Sequence, residues 1–220
     1  FRKAVEHQIE AMVRDEGQIV LGWRTPPINE STLGKAARDS RPAIRQLFIG
    51  QGRCTPSPDG LAFERSLYLI RKRCERLVEG KSEENSDYFY FASLSSRTIV
   101  YKGMLTARQV PAFYLDLTSL DMESALALVH ARYSTNTFPS WERAHPYRTL
   151  AHNGEINTIR GNVNWMRARQ PQIETRLFGP DISRVFPVIH PGGSDSAMFD
   201  NCLEFLSLGG RSIAHAALMM

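Results

Sequence analysis

Residues 125–134 read ALALVHARYS, and this stretch decides the predicted fold. Every second residue from Leu126 to Arg132 falls on one face of an alternating pattern, which is the periodicity of a β-strand. Along that face a polar pair, His130 and Arg132, follows two leucines. The pattern therefore predicts a strand that runs from the hydrophobic core to a functional site.

Helices are predicted on both sides of this strand. Apolar residues at spacings of three and four predict helices at 4–15, at 105–115, from a cap at Asn157 to residue 168, and from Gly192-Gly193-Ser194 to Gly209-Gly210. Residues 61–80 fit either one helix or a strand at 66–70 that feeds a helix from residue 71. The second interpretation is preferred.

Short strands and a loop account for much of the remaining chain. Runs of β-branched and aromatic residues predict strands at 19–23, 88–94 and 98–102. A further short strand is predicted at 149–152, where it ends at Asn153-Gly154, and Gly and Pro predict a surface loop at 50–60. Helices combined with short, closely connected strands predict a single α+β domain with a mainly antiparallel sheet.

Composition is that of a globular protein, since 42% of the 220 residues are hydrophobic and 23% are charged. No stretch approaches the roughly 20 apolar residues that a membrane-spanning helix needs. We therefore expect a soluble, cytoplasmic protein with no membrane partner. The first residue is Phe1 and the last two are Met219-Met220 within an apolar run, so both ends are expected to be cuts through a longer protein.

Charge and cysteine content exclude two further classes of function. The net charge of +4 is mild and no aromatic residues are interleaved with the basic run at 71–73, so we expect no nucleic-acid partner. Cys54, Cys74 and Cys202 are widely spaced and lack the pattern of a zinc site. They are interpreted as reduced structural thiols, and no metal site is predicted.

Three positions could carry chemistry, although each also has an ordinary explanation. Arg132 offers a rigid fork for a carboxylate, or forms a salt bridge. Asn153-Gly154 could donate two hydrogen bonds to an oxyanion, or form a hairpin turn. Asp195 could hold an ammonium group, or stabilise the first turn of a helix. Residue type alone leaves all three choices open.

Longer blocks around these positions resemble one family. The blocks are HARYSTNTFPSW at 130–141, LAHNGEINT at 150–158, GNVNWM at 161–166 and GSDS at 193–196. The pairing of H-x-R-Y-x-T with N-G-E is similar to class II glutamine amidotransferases in general. The stretches YSTNTFP and GNVNWM resemble the glutaminase domain of the glutamate synthase large subunit. The resemblance is strong from about 125 to 200 and can be traced almost to residue 1.

The resemblance implies a fold and a reaction. The fold is an N-terminal-nucleophile hydrolase sandwich of two mainly antiparallel sheets between helical layers, αββα. The reaction is attack by an N-terminal cysteine on the side-chain amide of L-glutamine, which releases ammonia and leaves a thioester that water hydrolyses to glutamate. In the full-length enzyme the ammonia would add to 2-oxoglutarate, with FMN and a 3Fe-4S cluster in other domains. A small reductase subunit or ferredoxin would be a partner.

The resemblance also implies roles for individual residues. Arg132 would bind the α-carboxylate of glutamine with help from Thr135, and Asp195 would bind the α-ammonium group. Asn153, through its side chain, and Gly154, through its backbone N–H, would form the oxyanion hole.

One departure from the family pattern concerns the nucleophile, because residue 1 is Phe and none of the three cysteines lies in the family's nucleophile context. Residues 1–220 are therefore expected to be one partial domain that lacks the N-terminal nucleophile segment and the C-terminal end. We predict that this chain alone hydrolyses no glutamine.

Two other functions remain compatible with the residues. One is the glutaminase domain of a different class II amidotransferase, against which the blocks at 134–139 and 161–166 argue. The other is a non-catalytic relic that binds an amino acid.

Overall fold

A computed structural model describes residues 1–53, 56–57, 59–76, 88–133 and 138–220. The α-helices of this part are α1 (Arg2–Asp15), α2 (Lys35–Asp39), α3 (Ala62–Glu75), α4 (Gln109–Phe113), α5 (Ile159–Arg169), α6 (Asp195–Leu208) and α7 (Ile213–Leu218). Its strands are β1 (Ile19–Arg24) and β2 (Gln46–Gly50). Short 3-10 helices lie at Glu30–Thr32, Leu115–Thr118, Gln170–Gln172 and Gly179–Val185.

β1 and β2 pair antiparallel and cover one side of α1 and α3. Val20 and Trp23 on β1, with Leu47 and Ile49 on β2, pack against a buried cluster of Ile9, Val13, Leu67, Ile70 and Cys74. The opposite face of the sheet is also apolar but exposed, because Ile19, Leu21 and Phe48 are each about half or more accessible to solvent. The described sheet therefore buries only one of its two apolar faces.

α3 lies between two hydrophobic clusters. Leu67, Ile70 and Cys74 face α1 and the sheet, whereas Tyr68 and Leu69 pack with residues of α5, α6 and the 178–189 segment. α3 is therefore buried on two sides, and each fully buried large apolar side chain contributes about 1.5–3 kcal/mol relative to an exposed one. α3 therefore joins the N-terminal sheet layer to the helices that carry the candidate site.

A third cluster holds the middle of the chain. Leu33, Ala37, Phe113, Tyr114 and Trp141 are buried together, and the indole N–H of Trp141 donates to the carbonyl of Ala37 at 3.0 Å. Gly103 lies flat against the Trp141 ring, where an added Cβ would be only 2.3 Å from a ring carbon. This close approach fixes residues 101–105 beside the segment that leads into the candidate site.

Several predicted elements are confirmed. α1, β1, α5 and α6 lie within a few residues of their predicted positions, and Gly209 ends α6. The helix predicted at 105–115 is shorter, since α4 spans Gln109–Phe113. Of the loop predicted at 50–60, Gly50 is the last residue of β2, and the described parts of 51–60 form no helix or strand, as predicted. α2, β2 and α7 were not predicted.

Two predictions about helices were wrong. Residues 62–75 form one helix, so no strand exists at 66–70; the consecutive apolar residues reflect burial of α3 on two sides. Asn157 does not cap α5. The N-cap is Thr158, which has a left-handed φ of 66° and forms no side-chain capping bond.

The predicted strands at 88–94, 98–102 and 149–152 are absent, as is the described part, 125–133, of the strand predicted at 125–134. Side chains, rather than a neighbouring strand, bind backbone groups there: Ser93 Oγ accepts from Val100 N–H, and Asp200 accepts from Thr149 N–H. The side chains still alternate in direction although no strand pairs with this segment. Phe89 and Phe91 pack toward the sheet, and Tyr90 packs toward the third cluster. β-propensity measures packing on neighbours, so the pattern alone could not supply pairing.

The described residues thus form an α+β arrangement of helices and one two-stranded antiparallel sheet. None of the helices in this part of the chain is both long enough and apolar enough to cross a bilayer.

Candidate functional site

The site is built on the first turn of α6. Ser194 is the N-cap and its hydroxyl accepts a hydrogen bond from Ala197 N–H at 3.3 Å, satisfying one of the free donors at the start of the helix. Gly192, with φ of 79°, turns the chain into this cap. Tyr147 places its hydroxyl 2.7 Å from the Ser194 hydroxyl. The cap is therefore tied to the segment that precedes the Asn153-Gly154 dipeptide.

α6 also holds the loop at 152–156 at both ends. The fully buried Ser196 donates to the backbone carbonyl of His152 at 3.2 Å and lies 3.3 Å from Nδ1 of the same residue. Asp195 Oδ2 accepts from Ile156 N–H at 2.9 Å. Asn153 and Gly154 lie between these two anchors, so the start of α6 determines where their donors lie.

A buried ionic network links the same region to α6 and α3. Asp200 has no solvent exposure and accepts from both the N–H and the hydroxyl of Thr149 at 2.7 Å, while Arg148 lies 3.0 Å from its other oxygen. Arg148 also binds Glu204 on α6 at 3.0 Å, and Glu204 binds the buried Arg71 of α3. Removing one partner of such a buried pair costs about 3–5 kcal/mol, because the other charge stays buried without compensation.

The segment at 130–132 approaches from the other side. His130 Nε2 lies 2.5 Å from Oδ1 of Asn153, and His130 Nδ1 lies 3.1 Å from the backbone N of Arg132. The His130 ring stacks on His145 with centroids 4.4 Å apart, and His145 packs edge-on against Tyr147 at 4.7 Å. Three stretches that are distant in sequence therefore meet: 130–132, 145–156 and 194–200.

The Asn153-Gly154 dipeptide does not form the type I′ hairpin turn that its sequence favours. That turn needs positive φ at both residues, and neither residue has it. Glycine is instead favoured by crowding, since a Cβ on Gly154 would lie 3.3 Å from the His152 ring. Asn153 is exposed and Gly154 is half-buried, so both are accessible from solvent.

Side chains that could bind the two charged groups of an amino acid lie on either side of the Asn153-Gly154 dipeptide. Arg132 is exposed, and among the described residues its guanidinium has no hydrogen-bond or ion-pair partner. Within the same part of the chain, Asp195 uses one carboxylate oxygen for Ile156 N–H and has the other available. Arg132 and Asp195 form no ion pair with each other. Thr135, the predicted helper of Arg132, lies outside the described residues.

Sequence reasoning missed three residues beside the site. Burial, together with the nearby His130 and Lys102, lowers the pKa of His145 to about 4, so this ring is neutral at pH 7. Lys102 is buried with its ammonium group 5.0 Å from the Tyr147 ring, and burial lowers its pKa to about 8. His145 and Tyr147 fall between two of the quoted blocks, where no spacing marked them.

The two cysteines that the structure describes are not nucleophiles. Cys74 and Cys202 are buried, and burial raises their pKa values to about 12 and about 11, so neither forms a thiolate at neutral pH. Cys54 lies outside the described residues. Among the described side chains, no group of three or more His, Cys, Asp or Glu residues is placed to hold a metal ion.

Comparison with known proteins identifies the family. The model of the family "Glutamine amidotransferases class-II" matches residues 1–220. The chain is 53% identical to the glutamate synthase (NADPH) large chain of Bacillus subtilis over 221 residues, which covers 100% of this chain and 14% of that protein. It is 46% identical to the glutamate synthase (NADH) of Saccharomyces cerevisiae, covering 91% of this chain and 9% of that protein.

A plant glutamate synthase is similar to the chain to the same extent. The chain is 46% identical to the chloroplastic ferredoxin-dependent glutamate synthase of Oryza sativa subsp. japonica, covering 94% of this chain and 12% of that protein. The chain thus spans about one seventh or less of the length of these relatives.

Proposed function

Because this chain belongs to the class II glutamine amidotransferase family, we propose that it forms the glutamine site of a glutamate synthase large chain. Within the full-length protein, that site hydrolyses L-glutamine to glutamate and ammonia. The observation that carries the proposal is the meeting of Asn153-Gly154, Asp195 and the segment that contains Arg132 at the start of α6.

Recognition of glutamine is assigned to the two charged side chains. Arg132 binds the α-carboxylate, because a guanidinium matches a carboxylate with two parallel hydrogen bonds and this one has no partner among the described residues. Asp195 binds the α-ammonium group through the oxygen that Ile156 leaves available. An amino acid that satisfies both charges at once is held with its side chain in a defined direction. Thr135 remains a proposed helper of Arg132.

Hydrolysis requires donors for the oxyanion that forms when the amide carbon is attacked. We assign these to the side-chain amide of Asn153 and the backbone N–H of Gly154, neither of which carries a charge. Loss of one such donor typically costs about 10²–10³ in rate. The anchors at His152 and Ile156 support this role, because they hold the loop before substrate binds.

The nucleophile is proposed to be an N-terminal cysteine of the mature protein, as in the family. Cys74 and Cys202 cannot substitute for it, since both are buried and protonated. The prediction that residues 1–220 alone hydrolyse no glutamine follows, and glutaminase activity in that polypeptide would contradict it.

The finer architecture is also proposed. The αββα sandwich requires further strands beside β1 and β2 and a layer over their outer face. The exposed side chains of Ile19, Leu21 and Phe48 support such a layer, because a two-stranded sheet with an uncovered apolar face is marginal in water.

In the full-length protein, the ammonia would add to 2-oxoglutarate in another domain. FMN and a 3Fe-4S cluster, implied for that part of the protein, would carry the electrons for reduction, and we assign no residue of this chain to them. The electron donor differs among the relatives, whose names specify NADPH, NADH or ferredoxin.

The test uses Arg132→Ala in the full-length protein, with Arg160→Ala on the exposed face of α5 as the matched control. Glutamine-dependent glutamate formation and ammonia-dependent glutamate formation are measured separately. We expect Arg132→Ala to abolish use of glutamine and to spare use of ammonia, whereas Arg160→Ala changes neither. An unchanged apparent affinity of Arg132→Ala for glutamine would contradict the assignment.

The same measurements separate the alternatives. Hydrolysis of glutamine without any transfer of ammonia to 2-oxoglutarate would indicate a different class II amidotransferase. Binding of glutamine without hydrolysis by the full-length protein would indicate a non-catalytic relic.

A further inference from the structure

His130 is hydrogen-bonded at both ring nitrogens, and the two partners determine where its proton lies. The partner of Nδ1 is the backbone N–H of Arg132 at 3.1 Å, which can only donate. Nδ1 is therefore the acceptor, and in a neutral imidazole the proton must then be on Nε2. Nε2–H consequently donates to the partner on its other side, Oδ1 of Asn153.

This bond fixes the direction of the Asn153 amide. Rotation of a side-chain amide by 180° exchanges an acceptor for two donors, and the terminal torsion of Asn has only a weak preference of its own. Asn153 is exposed, and among the described residues His130 is the one partner of its side chain. With Oδ1 bound to His130, Nδ2 points the other way as a donor. A flipped amide would present an oxygen to the developing negative charge.

We propose that His130 is a positioning residue for amide hydrolysis, which orients the Asn153 amide so that Nδ2 donates to the oxyanion. The inference rests on the proposed function. The relay runs from Arg132 N–H to His130 Nδ1, and from His130 Nε2–H to Asn153 Oδ1. It links the residue that binds the carboxylate of glutamine to the residue that stabilises the reacting amide.

Neighbouring groups hold the His130 ring in this orientation. His145 stacks on it with centroids 4.4 Å apart and an interplanar angle of 29°. His145 is itself buried and packs edge-on against Tyr147, whose hydroxyl lies beside the cap of α6. Because His145 is neutral at pH 7, the stack places no positive charge against the His130 ring.

The same contacts exclude two other roles for His130. A general base needs an unshared lone pair, and the lone pair of neutral His130 already accepts from Arg132 N–H. A metal ligand needs the same lone pair, and the described side chains contain no metal-binding group of three or more. Orientation of Asn153 is the function that both bonds serve.

The test compares His130→Gln with His130→Asn in the full-length protein. The Nε2 amide of Gln lies where the donor of the histidine lies, so His130→Gln keeps a bond to Asn153. Asn reaches only as far as Nδ1, so His130→Asn keeps the bond to Arg132 N–H and loses the one to Asn153. We expect kcat for glutamine hydrolysis to fall by about 10–100-fold in His130→Asn, a part of the loss seen when an oxyanion donor is removed. For His130→Gln we expect a change of less than about fivefold, because the donor is kept.

Two further measurements separate positioning from general damage. KM for glutamine is expected to change little in His130→Asn, and ammonia-dependent glutamate formation is expected to stay at the wild-type level. An aldehyde analogue, in which –CHO replaces the amide of glutamine, forms a tetrahedral oxyanion with a cysteine. Its affinity should fall by the same factor as kcat/KM, whereas the affinity for L-glutamate should not.

Equal values of kcat in His130→Asn and His130→Gln would overturn the inference, as would a loss confined to KM. Failure of the proposed function has a different signature. A wild-type full-length protein without glutaminase activity, or an Asn153→Ala variant with wild-type kcat, would overturn the proposed function and the inference with it.

Discussion

The two sides of the candidate site are built in opposite ways. On the α6 side, Ser196 and Asp200 are fully buried, and the cap, the loop at 152–156 and the ionic network bind one another. On the other side, residues 125–133 form no strand, and Leu126, Leu128 and Val129 are half or more exposed. The α6 side is held by contacts among its own residues. The segment at 125–133 is joined to that side by His130, which contacts Asn153 and His145.

The difference shows that a helix N-terminus can position functional groups by itself, whereas an extended segment needs a neighbouring strand to do so. The N-terminus of a helix determines donor and acceptor directions within one turn. An extended segment needs a neighbouring strand to fix its register, because its backbone donors and acceptors point sideways. Asp195 and the loop it holds are therefore well determined, and Arg132 depends on whatever lies beside 125–133 in the full-length protein.

Asp200 gives the largest expected effect. Asp200→Ala leaves Arg148 and Thr149 N–H without their buried acceptor, so we expect the opening free energy of the 145–156 region to fall by about 3–5 kcal/mol. Hydrogen–deuterium exchange of the full-length protein, followed by mass spectrometry over peptides from 145–156 and from α6, measures this quantity.

Asp181→Ala is the matched control for that measurement. Asp181 is partly exposed, and among the residues that the structure describes its one ion-pair partner is the exposed Arg184, so its removal should change the opening free energy by less than about 1 kcal/mol. Equal exchange rates in the two variants would mean that the ionic network does not hold the site.

Asp195 and Arg132 give the next largest effect, and they should differ in kind. Asp195→Ala removes the acceptor of Ile156 N–H, so exchange at 152–156 should rise by an amount that corresponds to about 1.5–3 kcal/mol, the range for a bond to a charged group. Arg132→Ala removes a side chain without a partner in the described part, so exchange there should not change. Both variants should lose affinity for glutamine.

Asp195→Asn refines that comparison, since it keeps an oxygen for Ile156 N–H and loses the charge for an ammonium group. Protection of 152–156 should return in this variant while affinity for glutamine stays low. Full recovery of both would show that Asp195 acts only as an anchor of the loop.

The sequence predicted the α6 side better than the other side, and the reason is physical. The apolar spacing after Ser194 and the Gly209-Gly210 pair are local signals, so the start and the end of α6 were both predicted. The strand at 125–134 was predicted from alternation, and the strand at 149–152 as a short segment that ends at Asn153-Gly154. Neither pattern reveals that Asp200 and Ser196 would bind the backbone of 149–152, or whether a partner strand exists for 125–133.

The candidate site residues also fall into those that a sequence motif could identify and those that it could not. Asn153, Gly154 and Asp195 were singled out by sequence motif, and the structure brings them together at one helix terminus. Their assigned roles remain proposals. His130 was noted only as one of the polar pair on the predicted strand and was given no role, and His145 was not singled out. Both matter through contacts between stretches that no spacing in the sequence connects.

His145 provides a pH-dependent test of the contact between the two sides. Its pKa is lowered from 6.5 to about 4, chiefly by burial and then by His130 and Lys102, with His152 acting in the same direction and Asp200 opposing. The unfolded state therefore binds the proton first. This contribution to stability is present above pH 6.5 and is lost as the pH falls toward 4.

We expect exchange of the 145–156 peptides to rise over that range in the wild-type protein. The rise should be smaller in His145→Phe, which keeps an aromatic ring and cannot be protonated. An identical pH profile in both proteins would show that protonation of His145 does not affect the contact between the two sides.

Leu126 gives the smallest expected effect and tests the exposed side most directly. It is 84% exposed, so Leu126→Ala should change the opening free energy of 121–133 by no more than about 0.5 kcal/mol if the full-length protein leaves this segment uncovered. Phe205→Ala, in the buried cluster around α3 and α6, is the positive control and should cost about 3–5 kcal/mol. A cost above about 2 kcal/mol for Leu126→Ala would mean that a neighbouring strand or layer buries the leucine. Arg132 would then be held as firmly as Asp195, and the contrast between the two sides would belong to residues 1–220 rather than to the full-length protein.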